Sequence, residues 1–250
     1  MSIPTQIDVR VMAKGGKYLG DDIGGALVTI HDVHTGELLA SGTTAGGSGL
    51  ENLMDICVTQ AQVLPTEQAS LFSVSLGLDT PRLIWVTAYG PLAAQQSANT
   101  VSLTQWVYPG KDITGAPPNG GGFLLEIPGL VVQILNPPTH FLPATAPQEI
   151  EIRANVTMMC GCPIGKTPWD PNQFEVTAII KQGEYSSLEL PLIYDADAPF
   201  GAPSQFTNTW TVPANPTGQS QIYEIVVSAF QQAMGNTGVD KATIIIPASN

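Results

Sequence analysis

The chain has 250 residues, of which 43% are hydrophobic and 12% are charged. This length allows one large domain or two ordinary ones, and the apolar share is enough for a full core. The formal net charge is −12, and only nine residues are Lys or Arg. That balance argues against a nucleic-acid-binding face, which needs clustered cations. No apolar run approaches the roughly 20 residues of a membrane span.

Short stretches in which apolar and polar residues alternate run through the chain and predict an all-β fold. The 25 glycines and 21 prolines support that prediction, because both residues disfavour helix interiors and form tight turns. The first half contains eight predicted strands at short spacing, which is typical of a β-sandwich: 7–13, 25–32, 37–43, 71–76, 83–89, 101–107, 122–127 and 130–135.

A proline-rich stretch without periodicity, 136–148, follows these strands. Proline lacks the backbone N–H that a central strand needs, so we expect a stiff linker here between two sandwich domains, 1–135 and 149–250. The second half resumes the alternation, with a hint of one helical turn at 231–234. About seven strands in about a hundred residues is the size of an immunoglobulin-like sandwich. The clearest six are predicted at 150–157, 174–181, 187–194, 205–212, 222–229 and 242–246.

A Thr-Gly turn joins two predicted strands near the start of the chain, Gly25-Ala-Leu-Val-Thr-Ile-His-Asp32 and Thr35-Gly-Glu-Leu-Leu-Ala-Ser-Gly-Thr-Thr44. This arrangement resembles the opening of transthyretin-like or carboxypeptidase-regulatory-like modules. The resemblance implies a transthyretin-like sandwich for the first half and an accessory role, which is what most such modules have. The second half resembles immunoglobulin or fibronectin type III domains in its strand pattern, without the Cys…Trp…Cys spacing of antibody domains.

Two of the three cysteines, Cys160 and Cys162, are separated by one glycine at the end of a predicted strand. On a continuous strand both side chains point to the same face, so both thiolates can bind one soft ion, copper(I) or zinc. A zinc site needs four ligands. The remaining candidates all lie in the first half of the chain, so such a site would join the two domains: Cys57, His31, His34 and His140.

Two other interpretations of the cysteine pair stay open. If Gly161 interrupts the strand, both cysteines pack as small apolar side chains. A disulfide or redox pair is the third interpretation. Pro163 has no backbone donor, so the chain is expected to leave the sheet there. This places the pair at a strand end near the mouth of the second sandwich, where it can face the first domain.

The four tryptophans are expected to differ in role. Trp85, Trp106 and Trp210 lie in predicted strands and are expected in the core. Trp169 lies in a proline-bounded loop directly after the cysteines. We expect it to pack in the turn, and the alternative is that it covers a site or enters a partner's pocket.

The sequence contains no nucleophile elbow, no His-Glu-x-x-His motif and no phosphate-binding loop. We therefore expect a non-catalytic protein that binds a protein partner or copies of itself, as an accessory subunit or surface-assembly component. Charge-poor surfaces are readily buried in interfaces. The alternative is a small metal-binding or redox protein that uses Cys160 and Cys162. The chain begins without a secretory signal, so we expect an extracytoplasmic protein if a signal was removed and a cytoplasmic one otherwise.

Overall fold

The all-β prediction is confirmed. The computed structural model describes residues 1–49, 69–115, 120–143, 147–165, 168–183, 186–198, 203–215 and 219–248. Apart from 3-10 turns of three residues at Asp21–Ile23, Gln95–Ser97 and Pro171–Gln173, every regular element in these residues is a strand. No helix in the described part of the chain is long and apolar enough to cross a membrane.

The strands alternate between buried and more exposed side chains along most of their length, as a half-buried strand does. They are β1 (Ile3–Ala13), β2 (Leu27–Asp32), β3 (Leu38–Thr43), β4 (Phe72–Leu78), β5 (Arg82–Gly90), β6 (Asn99–Val107), β7 (Phe123–Ile127), β8 (Leu130–Asn136), β9 (Gln148–Met158), β10 (Phe174–Gln182), β11 (Ser186–Pro191), β12 (Ile193–Tyr194), β13 (Gln205–Val212), β14 (Gln221–Gln231) and β15 (Asn236–Ile246).

The chain divides into two compact units. The first unit contains Met1–Gly129 and Met158–Cys162, and the second contains Leu130–Thr157 and Pro163–Asn250. The division therefore differs from the predicted linker at 136–148. β8 belongs to the second unit because it is hydrogen-bonded to β9.

The proline-rich stretch is also held in place within the second unit. The Phe141 N–H donates to the Thr243 carbonyl oxygen at 3.2 Å, and the Ile245 N–H donates to the Phe141 carbonyl oxygen at 2.9 Å. These two bonds tie the stretch to β15. The absence of periodicity did not indicate that the backbone of Phe141 would find hydrogen-bond partners in a strand.

The first unit is a sandwich of two sheets, with strand orders β4–β1–β7 and β3–β2–β5–β6. β1 is antiparallel to β4 and parallel to β7. Alternate side chains of a strand point to opposite faces, so about every second residue of each strand contributes to the core between the sheets. Its fully buried members include Ile7, Val9, Val11, Val28, Ile30, Ile84, Val86 and Ile127.

The second unit also contains two sheets, each of four strands, with strand orders β11–β10–β14–β15 and β12–β13–β9–β8. The single strand predicted at 187–194 is divided between them, because β11 pairs with β10 while β12 pairs with β13. β15 starts at Asn236, six residues before its predicted start, and pairs with β14 over its whole length.

Candidate functional site

The segment Met158–Cys162, here called the cysteine turn, reverses the chain where β9 ends. The Gly161 N–H donates to the Met158 carbonyl oxygen at 2.8 Å, and the Met158 N–H donates to the Cys162 carbonyl oxygen at 3.0 Å. Gly161 has a φ of +74°, a left-handed conformation that glycine adopts without steric cost. The strand therefore ends before the pair, and the same-face geometry of a continuous strand does not apply.

Both thiols of the cysteine turn are buried, and the turn belongs to the first unit. The Cys160 Sγ accepts a hydrogen bond from the backbone N–H of Lys17 at 3.4 Å. A Cβ added to Gly16 would lie 3.2 Å from that sulfur, so the absence of a side chain at Gly16 leaves room for it. Contacts with the loop after β1 thus surround the Cys160 sulfur.

The surroundings give the two thiols different protonation behaviour. Burial acts to raise the pKa of Cys160. The hydrogen bonds that it accepts from the Cys162 thiol and from the backbone N–H groups of Lys17 and Cys162, together with the Lys17 charge, outweigh burial and lower that pKa. The pKa of Cys162 is raised, first because its thiol donates to Cys160 and then because of burial. Of the two thiols, Cys160 is therefore the more easily deprotonated, and Cys162 is its hydrogen-bond donor.

The other ligand candidates do not join the cysteine turn in the part of the chain that the structure describes. Cys57 lies outside the described residues. His31 and His34 lie beside tryptophans of the first unit, and His140 lies next to β15 in the second. Among the described residues, no three or more His, Cys, Asp or Glu side chains are grouped as they would be around a metal ion. Two thiols alone suit copper(I), a soft ion, better than zinc, which takes four ligands.

Two of the four tryptophans differ from what we expected, while Trp169 and Trp210 are buried. Trp169 is only 3% exposed, so it would have to leave its packing to enter a partner's pocket. Trp85 and Trp106, expected in the core, are 46% and 48% exposed, and that expectation was wrong. The sequence did contain the signal: Trp106 shares its strand parity with Ser102 and Thr104, and polar residues mark the outer side of a half-buried strand.

The two exposed indoles form a surface that we call the aromatic face, defined by His31, His34, Trp85 and Trp106. It lies on the outer side of the β2–β5–β6 sheet and of the turn after β2. His31 is paired with Trp85 across β2 and β5, and their ring centroids are 6.1 Å apart. The rings of His34 and Trp106 are 6.0 Å apart, so each indole has one imidazole beside it.

A hollow of about 400 Å³ opens on the aromatic face, lined by His31, Asp32, Val33, Gly36, Trp85 and Thr104. Asp32 carries the one carboxylate of this lining. It accepts hydrogen bonds from the backbone N–H groups of His34 and Thr35, both at 2.9 Å, and its Oδ2 lies 3.6 Å from the Arg82 guanidinium. The Asp32 carboxylate is therefore held by backbone N–H groups and by Arg82, and the rest of the lining is aromatic, apolar or uncharged polar.

No protein-family model matches this chain, and no curated protein matches it either. Among solved structures, the chain is similar to the three N-terminal domains of the Highly Immunogenic Outer Capsid protein (Hoc) of bacteriophage RB49, at 13% identity and a TM-score of 0.30. The match covers 98% of this chain and 59% of that one, so the chain spans less than two thirds of that structure. The two-sandwich architecture accordingly rests on this chain's own strands and sheets.

Proposed function

We propose that this protein is a non-catalytic structural or accessory component that works through protein–protein contacts, with copies of itself as the first partner. The observation that carries the proposal is the outer face of the β10–β14–β15 sheet in the second unit. Contiguous exposed apolar surface on a soluble protein marks an interaction site.

Apolar side chains cross that outer face from strand to strand. Ile222, Phe230 and Val239 are exposed. Between them, Ile179 on β10 is paired with Val226 on β14, and both are half-buried. The face thus carries isoleucine, valine and phenylalanine side chains among polar ones such as Thr177 and Ser228.

Charged side chains also lie on this face, and two of them form an ion pair. The Lys241 ammonium lies 3.1 Å from the Glu224 carboxylate, and the two residues are on neighbouring strands. An apolar centre with a few paired polar groups is the usual composition of a protein interface. The low charged fraction of the chain, 12%, favours the same conclusion because charged residues are depleted at interface centres.

The test is the mass of the protein in solution, measured by sedimentation over a wide concentration range. We expect concentration-dependent association that Val239→Lys abolishes, because a lysine ammonium would be buried without a partner. Thr209→Lys is the matched control, since Thr209 is exposed on the other sheet of the same unit. A wild-type chain that stays monomeric at every concentration, or a Val239→Lys variant that associates like wild type, would overturn the proposed self-contact.

We further propose that the first unit is a transthyretin-like module and the second an immunoglobulin-like one. The resembling segment near the start of the chain supports the first assignment, because it forms the β2–β3 hairpin with the Thr35–Gly36 turn between the strands. Two four-stranded sheets of short antiparallel strands support the second. An experimental structure with a different strand order in either unit would contradict the assignment.

A second function is supported by one observation, the contact between the thiols of Cys160 and Cys162 within the cysteine turn. Under this alternative the pair binds copper(I), or zinc with further ligands, or undergoes reversible oxidation. Purified protein is loaded with copper(I) under reducing conditions, and bound copper is measured by elemental analysis. The alternative predicts one copper per chain in wild type and none in the Cys160→Ser, Cys162→Ser double variant, with circular dichroism unchanged. Equal copper in both proteins excludes the thiols as the site.

A further inference from the structure

We propose that the aromatic face of the first unit binds a neutral carbohydrate, with a pyranose ring stacked on Trp85 and sugar hydroxyls in the adjoining hollow. Nothing in this site depends on the surface that carries the proposed self-contact, which lies on the second unit. The inference rests on three features of the aromatic face: its indoles, the polar groups around them and its charge balance.

The indoles supply flat apolar platforms on neighbouring strands. Trp85 on β5 is paired with Thr104 and Trp106 on β6 is paired with Leu83, so the two tryptophans are diagonal neighbours on one side of the sheet. Diagonal neighbours lie about 7–8 Å apart, within reach of one extended ligand. The face of an aromatic ring carries negative charge density, which attracts the weakly positive C–H groups on one side of a pyranose ring.

Hydroxyl and imidazole groups surround the indoles. The next row on the outer side of the sheet consists of Thr29, Thr87 and Ser102, paired across β2, β5 and β6. A hydroxyl both donates and accepts, as a sugar hydroxyl does. The buried Nδ1 of His31 has no hydrogen-bond partner among the described residues, although buried polar atoms ordinarily have one. The imidazole thus has one unpaired nitrogen near the indoles, although that atom is enclosed by protein.

The charges near the aromatic face point to a neutral ligand. The Arg82 guanidinium lies within 4 Å of Asp32, Glu37 and Asp79, at 3.6, 3.0 and 3.9 Å. The Arg82 guanidinium is therefore already paired with carboxylates of the protein. The net charge of −12 repels phosphate and sulfate. Stacking platforms for single-stranded nucleic acid come with a cationic groove, which is missing from the described residues of this face. A purely apolar protein surface would leave the polar row unpaired, which costs free energy.

The experiment uses the full chain and neutral hexasaccharides of glucose, mannose, galactose and N-acetylglucosamine, with binding measured by calorimetry and by tryptophan fluorescence. We expect at least one to bind, and we expect Trp85→Ala and Trp106→Ala each to weaken that binding about ten-fold. Ile193→Ala, which removes an exposed apolar side chain from the second unit, should bind as wild type does. A heparin-derived hexasaccharide should not bind, because it is anionic.

Three results would overturn the proposal. The first is no binding of any of these hexasaccharides at millimolar concentration. The second is unchanged affinity in both tryptophan variants. The third is that the tryptophan variants bind sugar as wild type does but differ from wild type in their mass in solution. That result would show that the aromatic face contacts protein. If Trp85→Ala loses its fold by circular dichroism, Trp85→Thr and Thr104→Ile replace it, and unchanged affinity in both has the same meaning.

Discussion

Asp32 organises the turn that leads from β2 towards the aromatic face. One of its oxygens accepts the backbone N–H groups of His34 and Thr35, and the other faces the Arg82 guanidinium. The N–H of Thr35 is the main cause of a lowered pKa for this carboxyl. The His34 N–H, the Thr35 hydroxyl and Arg82 act in the same direction, and burial opposes them. The ionised form is therefore favoured by folding.

A carboxyl whose pKa is lower in the folded state stabilises the fold above its unfolded pKa, near 3.9, and that contribution disappears as the pH falls through the folded pKa. We expect Asp32→Asn to lower the melting temperature at pH 7, because the amide keeps an acceptor oxygen but loses the charge. The difference from wild type should shrink below about pH 4. Thermal unfolding followed by circular dichroism between pH 7 and pH 2.5 measures it.

Asp32→Ala is the companion variant, since it also removes the acceptor for the two N–H groups. It should remain less stable than wild type at every pH. A difference between Asp32→Asn and wild type that stays constant from pH 7 to pH 2.5 would contradict a lowered pKa for Asp32.

At the scale of single elements, β15 shows why one strand began earlier than the sequence indicated. Its first residues are mostly polar or small, with Gly238 among them, so no apolar alternation marked them as a strand. A Cβ added to Gly238 would collide with the Leu130 carbonyl oxygen and lie 2.9 Å from Val132 Cγ2. Glycine inside a strand marks such a close approach of another backbone, here that of β8.

We expect Gly238→Ala to destabilise the second unit by about 1–3 kcal/mol, the usual cost of overpacking. Gly77→Ala in β4 is the matched control, because a Cβ there would meet only Ser2, at an ordinary 3.4 Å. That control should be neutral or stabilising by up to about 1 kcal/mol, since alanine restricts the unfolded chain. Urea unfolding measures both variants. Equal effects of the two substitutions would show that β8 and β15 can separate at Gly238 without cost.

The division of the strand predicted at 187–194 is a second lesson at this scale. Alternation continues across Pro191 and Leu192, so the sequence reads as one strand. In the fold, Pro191 is the last residue of β11, Leu192 is buried, and Ile193 and Tyr194 pair with the other sheet. Periodicity reports which side chains are buried, but it does not report which sheet supplies the hydrogen bonds.

At the scale of the whole molecule, the cysteine turn shows how far a residue's neighbours can lie from it in sequence. The Cys160 sulfur accepts a hydrogen bond from the backbone N–H of Lys17. Met159 packs close to Gly129, where an added Cβ would lie 3.3 Å from the Met159 sulfur. The turn follows directly on β9 of the second unit and is nevertheless part of the first. A domain boundary drawn from composition is one cut in the chain, and it cannot represent a short segment that returns.

The sequence by itself determined the all-β class, the positions of most strands and a division into two halves of similar architecture. Those properties depend on local alternation and on where glycine and proline occur, and both can be read one residue at a time. Only the tertiary structure decided that Trp85 and Trp106 face outward with imidazoles beside them, that Trp169 is buried, and that Cys160 and Cys162 lie in a turn of the first unit. The placement of each of these side chains depends on which residues, far away in the chain, cover one face of its strand or turn.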